Sequence, residues 1–132
     1  MKRNWEKLKL KEGKKSVLEG VPKSLPALVK ASRIQDKVKG VGFDWEESHQ
    51  VWDKVQEELQ ELQDEIKLGN QDTIEAEFGD VLFSMINYAR FLKVNPEDAL
   101  ERTNKKFIKR FQYLENKASE LGKSLADMTL AE

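Results

Sequence analysis

Apolar residues recur at steps of three and four along most of the chain, and this period narrows the possible folds more than any other feature. Trp52, Val55, Leu59, Leu62 and Ile66 form one stripe. Phe78, Val81, Leu82, Met85, Ala89 and Leu92 form a second, and Leu100, Thr103, Phe107, Phe111, Leu114, Ala118 and Leu121 a third. Such spacing specifies amphipathic helices. Strand signals are nearly absent, because β-branched runs are few and the helical segments are long.

Start and stop residues divide these stripes. Ser24 as N-cap, with Pro26 in the first turn, predicts a helix to about Lys39 that carries Leu25, Leu28, Val29, Ile34 and Val38. Gly40-Val41-Gly42 stops it. Asp44 with Glu47 three residues later has the form of a capping box and opens a long helix to Leu68, ended by Gly69-Asn70. Asp72 with Glu75 repeats the pattern for a helix to Lys93. Asn95-Pro96-Glu97-Asp98 supplies a cap, a proline at the first position and acids in the first turn of a last long helix, closed by Gly122. Residues from Ser124 suit one short turn. Four helices joined by short turns predict an all-α, four-helix-bundle-like domain over residues 23–132. A Lys-rich stretch, residues 1–22, reads as a linker or N-terminal arm, with Trp5 the residue that can dock it.

Composition excludes several classes. A net charge of −1 supplies no basic field for direct nucleic-acid binding. Zero cysteines exclude disulfides and thiolate metal sites. No apolar run approaches the ~18 residues of a membrane span, and no signal-peptide core is visible. A soluble cytoplasmic protein is the expectation. With 36% charged and 39% apolar residues, the chain is lean for a monomer core, which favours self-association.

Acids stand three apart on two neighbouring helices: Glu58 and Glu61 on one, Glu77 and Asp80 on the next. At roughly 100° per residue, Glu58 and Glu61 fall about 70° and 130° to one side of their stripe, and Glu77 and Asp80 about 80° and 140° to the same side of theirs. If the stripes pack, the acids flank the seam and meet. Clustered carboxylates repel and need protons or cations. With one histidine and no cysteine, the donors are all oxygen, which suits Mg²⁺, or Mn²⁺, better than Zn²⁺. Acids are 24 of 132 residues, however, so on spacing alone a solvated acidic face is the commoner explanation. Gly79, inside a helix beside Asp80, reads either as a tolerated helix glycine or as a point of close approach. Trp45 and Trp52 are expected in core or dimer packing, and His49 on the surface.

The longer strings go further. Leu25–Trp45 (LPALVKASRIQDKVKGVGFDW), Lys54–Leu62 (KVQEELQEL), Glu77–Arg90 (EFGDVLFSMINYAR) and Asn95–Phe111 (NPEDALERTNKKFIKRF) resemble, in order, the MazG nucleoside triphosphate pyrophosphohydrolases. This family lies within the all-α NTP pyrophosphatase group, and the closest resemblance is to the C-terminal catalytic domain of its two-domain members. Glu57-Glu58-x-x-Glu61 and Glu77-x-x-Asp80 match the family's acidic hallmark.

The resemblance implies Mg²⁺-dependent hydrolysis of nucleoside triphosphates to monophosphate and pyrophosphate, with nucleotide-pool cleaning as the cellular role. It implies that Glu58, Glu61, Glu77 and Asp80 hold metal and that Lys106 and Arg110 contact phosphates. It also implies a homodimer or higher homo-oligomer with sites built from both subunits. Lys54, one turn before Glu58, is a further phosphate-binding candidate or an ion-pair partner, and Glu57 a candidate base behind the metal ligands. Two-domain members carry another such domain upstream, and the family pattern usually continues past Leu130 into a segment with a Trp, so a fragment or shortened form is expected. The alternative readings are a non-catalytic helical dimerisation module and a narrower dUTPase-like pyrophosphatase.

Overall fold

The computed structural model describes residues 16–45 and 47–127. Among them there are four α-helices and no strand. They are α1 (Ala27–Gly40), α2 (Ser48–Leu68), α3 (Gln71–Phe91) and α4 (Pro96–Leu121), with short 3₁₀ turns at Val17–Gly20 and Leu125–Asp127. The all-helical expectation holds. No helix among the described residues is long and apolar enough to cross a membrane. The expected role of Trp5 falls outside the described residues.

The helix ends show which polar groups took the capping positions. α1 begins after Pro26 with no side-chain cap, so Ser24 does not serve there. α2 is capped by Glu47 rather than Asp44. Gln50 Oε1 accepts the Glu47 N–H at 3.0 Å, while Asp44 is drawn to Arg90. Gly69 ends α2 at φ 79°, the left-handed turn expected of it. Asn70, not Asp72, caps α3, its Oδ1 accepting from Asp72 N at 3.0 Å and Thr73 N at 3.4 Å. α3 stops at Phe91, two residues short of expectation, because Lys93 turns left-handed at φ 60° and Val94 N returns to Ala89 O.

The described residues divide into two compact units at Pro96. In the first, α3 packs on both α2 and α1, and the Val17–Gly20 turn packs on α1. The second is built on α4, which exposes Phe107, Ile108, Tyr113 and Leu121 and buries Ala118.

The α2–α3 seam is not the one that hydropathy alone picks out. On α2 the buried and half-buried positions include Val51, Val55, Glu58, Leu62 and Glu65. On α3 they include Ile74, Glu77, Val81, Ser84, Tyr88 and Phe91. Each set steps by three and four, but is turned about 60–80° from the apolar stripe, toward the acids. Val51 and Val55 are fully buried. Trp52, Leu59, Ile66, Phe78, Leu82 and Met85 are left 40–53% exposed, with Trp52 partly covered by Tyr88 at a ring separation of 5.3 Å.

A Cβ added at Gly79 would meet nothing within 4 Å, so no close approach within the chain requires a glycine there. Gly79→Ala should therefore raise stability by about 1 kcal/mol through helix propensity alone, measured by thermal or urea denaturation.

Candidate active site

Gly69 stands midway between Glu58 and Asp80, so folding the two helices back on each other at this turn brings those acids level. Ligand oxygens of Glu58, Glu77 and Asp80 all lie within 4.8 Å of one another. Glu58 is 7% exposed, Glu77 half-buried and Asp80 exposed. The acids expected to flank the seam thus partly form it, since Glu58 and Glu77 occupy seam positions between valines. Glu61 stands one turn on from Glu58 and is not among the three whose oxygens converge.

The local electrostatics are those of crowded like charges. Glu58's charge comes first among the causes that raise the Glu61 pKa above 4.5, followed by desolvation. Desolvation comes first for Glu77, followed by the charges of Glu61, Asp80 and Glu58, and its pKa too is raised. Lys54 offsets part of this. Its Nζ lies 2.9 Å from Glu58 Oε1 and 3.6 Å from Glu57 Oε2. The hydrogen bond to Glu58 holds the lysine pKa above its ordinary value despite some desolvation. Lys54 is thus paired with both acids. Glu57 itself points mainly to solvent.

Two buried oxygens remain without a protein partner, Glu58 Oε2 and Glu77 Oε2. Such an oxygen calls for a proton shared with a neighbouring carboxyl, a water or a cation. The site fits a hard divalent cation. Its donors are all carboxylate oxygens, the ligands hard divalent cations take, and they converge from two helices.

Lys106 and Arg110 are exposed one turn apart on α4, in the second compact unit. His49 is on the surface as expected, although its Nδ1 lies 2.9 Å from Glu47 Oε2.

A second polar group was not assigned a role from sequence. Arg90 donates from Nη1 and Nη2 to the Asp44 carboxylate at 3.0 and 2.7 Å, and from Nη2 to Asn87 Oδ1. Burial disfavours the Asp44 charge. The Arg90 hydrogen bonds and charge, the Trp45 N–H and the Lys39 charge outweigh it and hold the carboxyl below its ordinary value. This pair ties the 41–45 loop to the end of α3 beside a cavity of about 500 Å³, lined by Ile34, Gln35, Phe43, Trp45, Phe83 and Asn87 among others. Trp45, expected in core or interface packing, is half-exposed on that cavity. The signals that could have found this region were the GFDW and NYAR strings.

The fold and site define a class: an all-α protein with a carboxylate cluster gathered across a helical hairpin. Comparison with known proteins narrows it. The MazG nucleotide pyrophosphohydrolase domain matches residues 46–114, and the chain belongs to that family. It is 39% identical over 131 residues to the nucleoside triphosphate pyrophosphohydrolase/pyrophosphatase MazG of Thermotoga maritima, a match covering 97% of this chain and 50% of that protein. It is 38% identical over 132 residues to the nucleoside triphosphate pyrophosphohydrolase of Escherichia coli K12, covering 96% of this chain and 50% of the relative. The uncharacterized protein YabN of Bacillus subtilis is 47% identical over 131 residues, with 96% of this chain and 27% of that protein covered. The chain spans about half the length of the two pyrophosphohydrolases it matches.

The raised Glu61 and Glu77 pKa values have a measurable consequence. Between 4.5 and those values the folded chain holds more protons than the unfolded chain. These groups therefore favour folding fully below their unfolded pKa, and that contribution is lost as pH rises through their folded pKa values. In EDTA, the melting temperature should fall across this window as pH rises. Glu77→Gln should flatten the slope and melt higher than the parent at neutral pH.

Proposed function

We propose that this chain hydrolyses nucleoside triphosphates to nucleoside monophosphate and pyrophosphate, with Mg²⁺, or Mn²⁺, held by Glu58, Glu77 and Asp80 and completed by Glu61. The observation that carries this reading is the convergence of three carboxylates, two of them with a buried oxygen that no protein donor reaches. The names of the Thermotoga maritima and Escherichia coli relatives support the same reaction.

Bound there, the cation supplies charge neutralisation at the phosphate oxygens and a lowered pKa for the attacking water. The chain's own residues do the rest. Glu58, fixed between Val55 and Leu62, provides a ligand that cannot swing away. Glu57, on the solvent side of the cluster, accepts the water's proton. Lys54, which pairs with Glu58 and Glu57, would be free to turn to a phosphate oxygen once a cation neutralised Glu58. Lys106 and Arg110 bind the departing pyrophosphate, Arg110 by the bidentate contact its planar guanidinium allows. Water adds across the α,β-phosphoanhydride bridge: its oxygen bonds to one of the two phosphorus atoms, the bridging P–O bond at that phosphorus breaks, the water's proton passes to Glu57, and monophosphate and pyrophosphate part. Clearing surplus or non-canonical nucleotides in the cytoplasm is the role that fits this chemistry.

The half-exposed stripe of Trp52, Leu59, Ile66, Phe78, Leu82 and Met85 supports a homodimer or higher homo-oligomer. Contiguous apolar surface of this kind is rarely left to water.

Two outcomes test the reading. Incubation with a panel of ribo- and deoxyribonucleoside triphosphates and Mg²⁺ should yield monophosphate and pyrophosphate, and Asp80→Asn should lower kcat/KM by at least about a hundredfold. Release of orthophosphate and diphosphate would overturn the reaction. In analytical ultracentrifugation the parent chain should sediment as an oligomer and Phe78→Asp as a monomer.

A further inference from the structure

The two partners of the ion pair on α2 are not alike. Lys54 Nζ lies 2.9 Å from Glu58 Oε1, yet the Glu58 side chain is 9% exposed and that of Lys54 39%. The lysine also reaches Glu57 Oε2 at 3.6 Å. On a bare helix, a lysine four residues before a glutamate is the weaker order for such a pair, so helix propensity does not account for it. The burial of the acid does. Glu58 stands one turn after the fully buried Val55, and its other oxygen, Oε2, is buried and meets no protein partner. An uncompensated charge at that place works against the seam. Lys54 compensates it from the solvent side, on a flexible stem.

The neighbouring carboxylates add to the demand for positive charge. Glu77 and Asp80 bring oxygens within 4.8 Å of Glu58 and of each other, and crowded like charges call for a cation. A divalent cation among them and the Lys54 ammonium would both draw on Glu58, and two cations so close repel each other. Glu58 is packed into the seam, whereas Lys54 can swing into solvent. We propose that Lys54 is the resident counter-ion of the metal-free site: its ammonium holds Glu58 until a divalent cation displaces it, and by competing for that carboxylate it lowers the site's affinity for free cation. This rests on the reading of Glu58, Glu77 and Asp80 as a cation site, and adds what neutralises that site in the metal-free chain.

An exchange of this kind moves two measurable quantities in opposite senses. Lys54→Met keeps an unbranched stem and removes the charge. In EDTA its melting temperature should fall by about 2 °C or more. Its affinity for Mn²⁺ without nucleotide, followed by loss of the free-ion electron paramagnetic resonance signal, should rise about threefold or more. Lys67→Met removes the same charge from an exposed position further along α2 and should leave the Mn²⁺ affinity within about twofold. Unchanged melting or unchanged Mn²⁺ affinity in Lys54→Met, or an equal tightening in Lys67→Met, would overturn the inference and leave the cation site intact. If circular dichroism shows Lys54→Met folded in Mn²⁺ but not in EDTA, that is the expected result at its limit; if it folds in neither, Lys54→Gln takes its place. Asp80→Asn should lose the parent's Mn²⁺ binding. A parent chain that binds no Mn²⁺, or binding that survives in Asp80→Asn, would remove the cation site and the inference together.

Discussion

Carboxylates in a hydrophobic seam are the constraint around which the first unit of this protein is built. Glu58 and Glu77 sit where a two-helix hairpin would ordinarily place leucine, one turn after the buried Val55 on one helix and one turn before Val81 on the other. Each buried oxygen without a partner works against the packing that surrounds it, and the neighbouring charges add to that opposition. The hairpin tolerates this because its valines are packed tightly and because Lys54 reaches over to Glu58. The result is that Glu58, the most buried member of the proposed site, is held in place by its packing and its ion pair. Preorganisation of that kind places the loss of stability in the fold and the gain in the affinity for a charge-neutralising ligand.

The same arrangement explains the unused apolar surface. Both hairpin helices are turned so that their acids face the seam, and this swings Trp52, Leu59 and Ile66 on one helix and Phe78, Leu82 and Met85 on the other toward the outside. A helix cannot present its acidic side to its neighbour and hide its whole apolar stripe from water at the same time, because the two lie about 60–80° apart on the cylinder. A site buried within one hairpin therefore carries a demand for a partner surface with it. The proposed oligomer follows from the placement of the acids as much as from the number of apolar residues.

α3 contributes to both the carboxylate cluster and the cavity. Along one face it carries Glu77 and Asp80, then Ser84, then Asn87, with Phe83 and Arg90 turned toward α1 and the 41–45 loop. The part-buried Asp44–Arg90 pair ties that loop to α3 beside the cavity, so an ion pair helps to fix the wall bearing Phe43 and Trp45. Asp44 was expected to cap α2. The guanidinium offers it two charge-assisted hydrogen bonds where a helix end offers only backbone N–H groups, and Glu47 with Gln50 is left to begin the helix instead.

Periodicity and punctuation alone determined that the described residues are helical, that they form four α-helices, and where Gly69 and Gly122 end two of them. These are properties of near neighbours, and so is the acid spacing that singled out Glu58, Glu61, Glu77 and Asp80. Three of those acids converge, and for Glu58 and Asp80 the chain itself shows why, since Gly69 stands midway between them and the fold-back brings them level. Only the tertiary structure decided which face of each helix is buried. Hydropathy sums all the apolar contacts a helix will make, and it cannot separate those made within the hairpin from those left for another surface. Tertiary structure alone also paired Asp44 with Arg90 and Gln35 with Phe83, across 46 and 48 residues respectively. Partners so distant in the chain are chosen by which side chains packing brings within reach, and no local pattern encodes that.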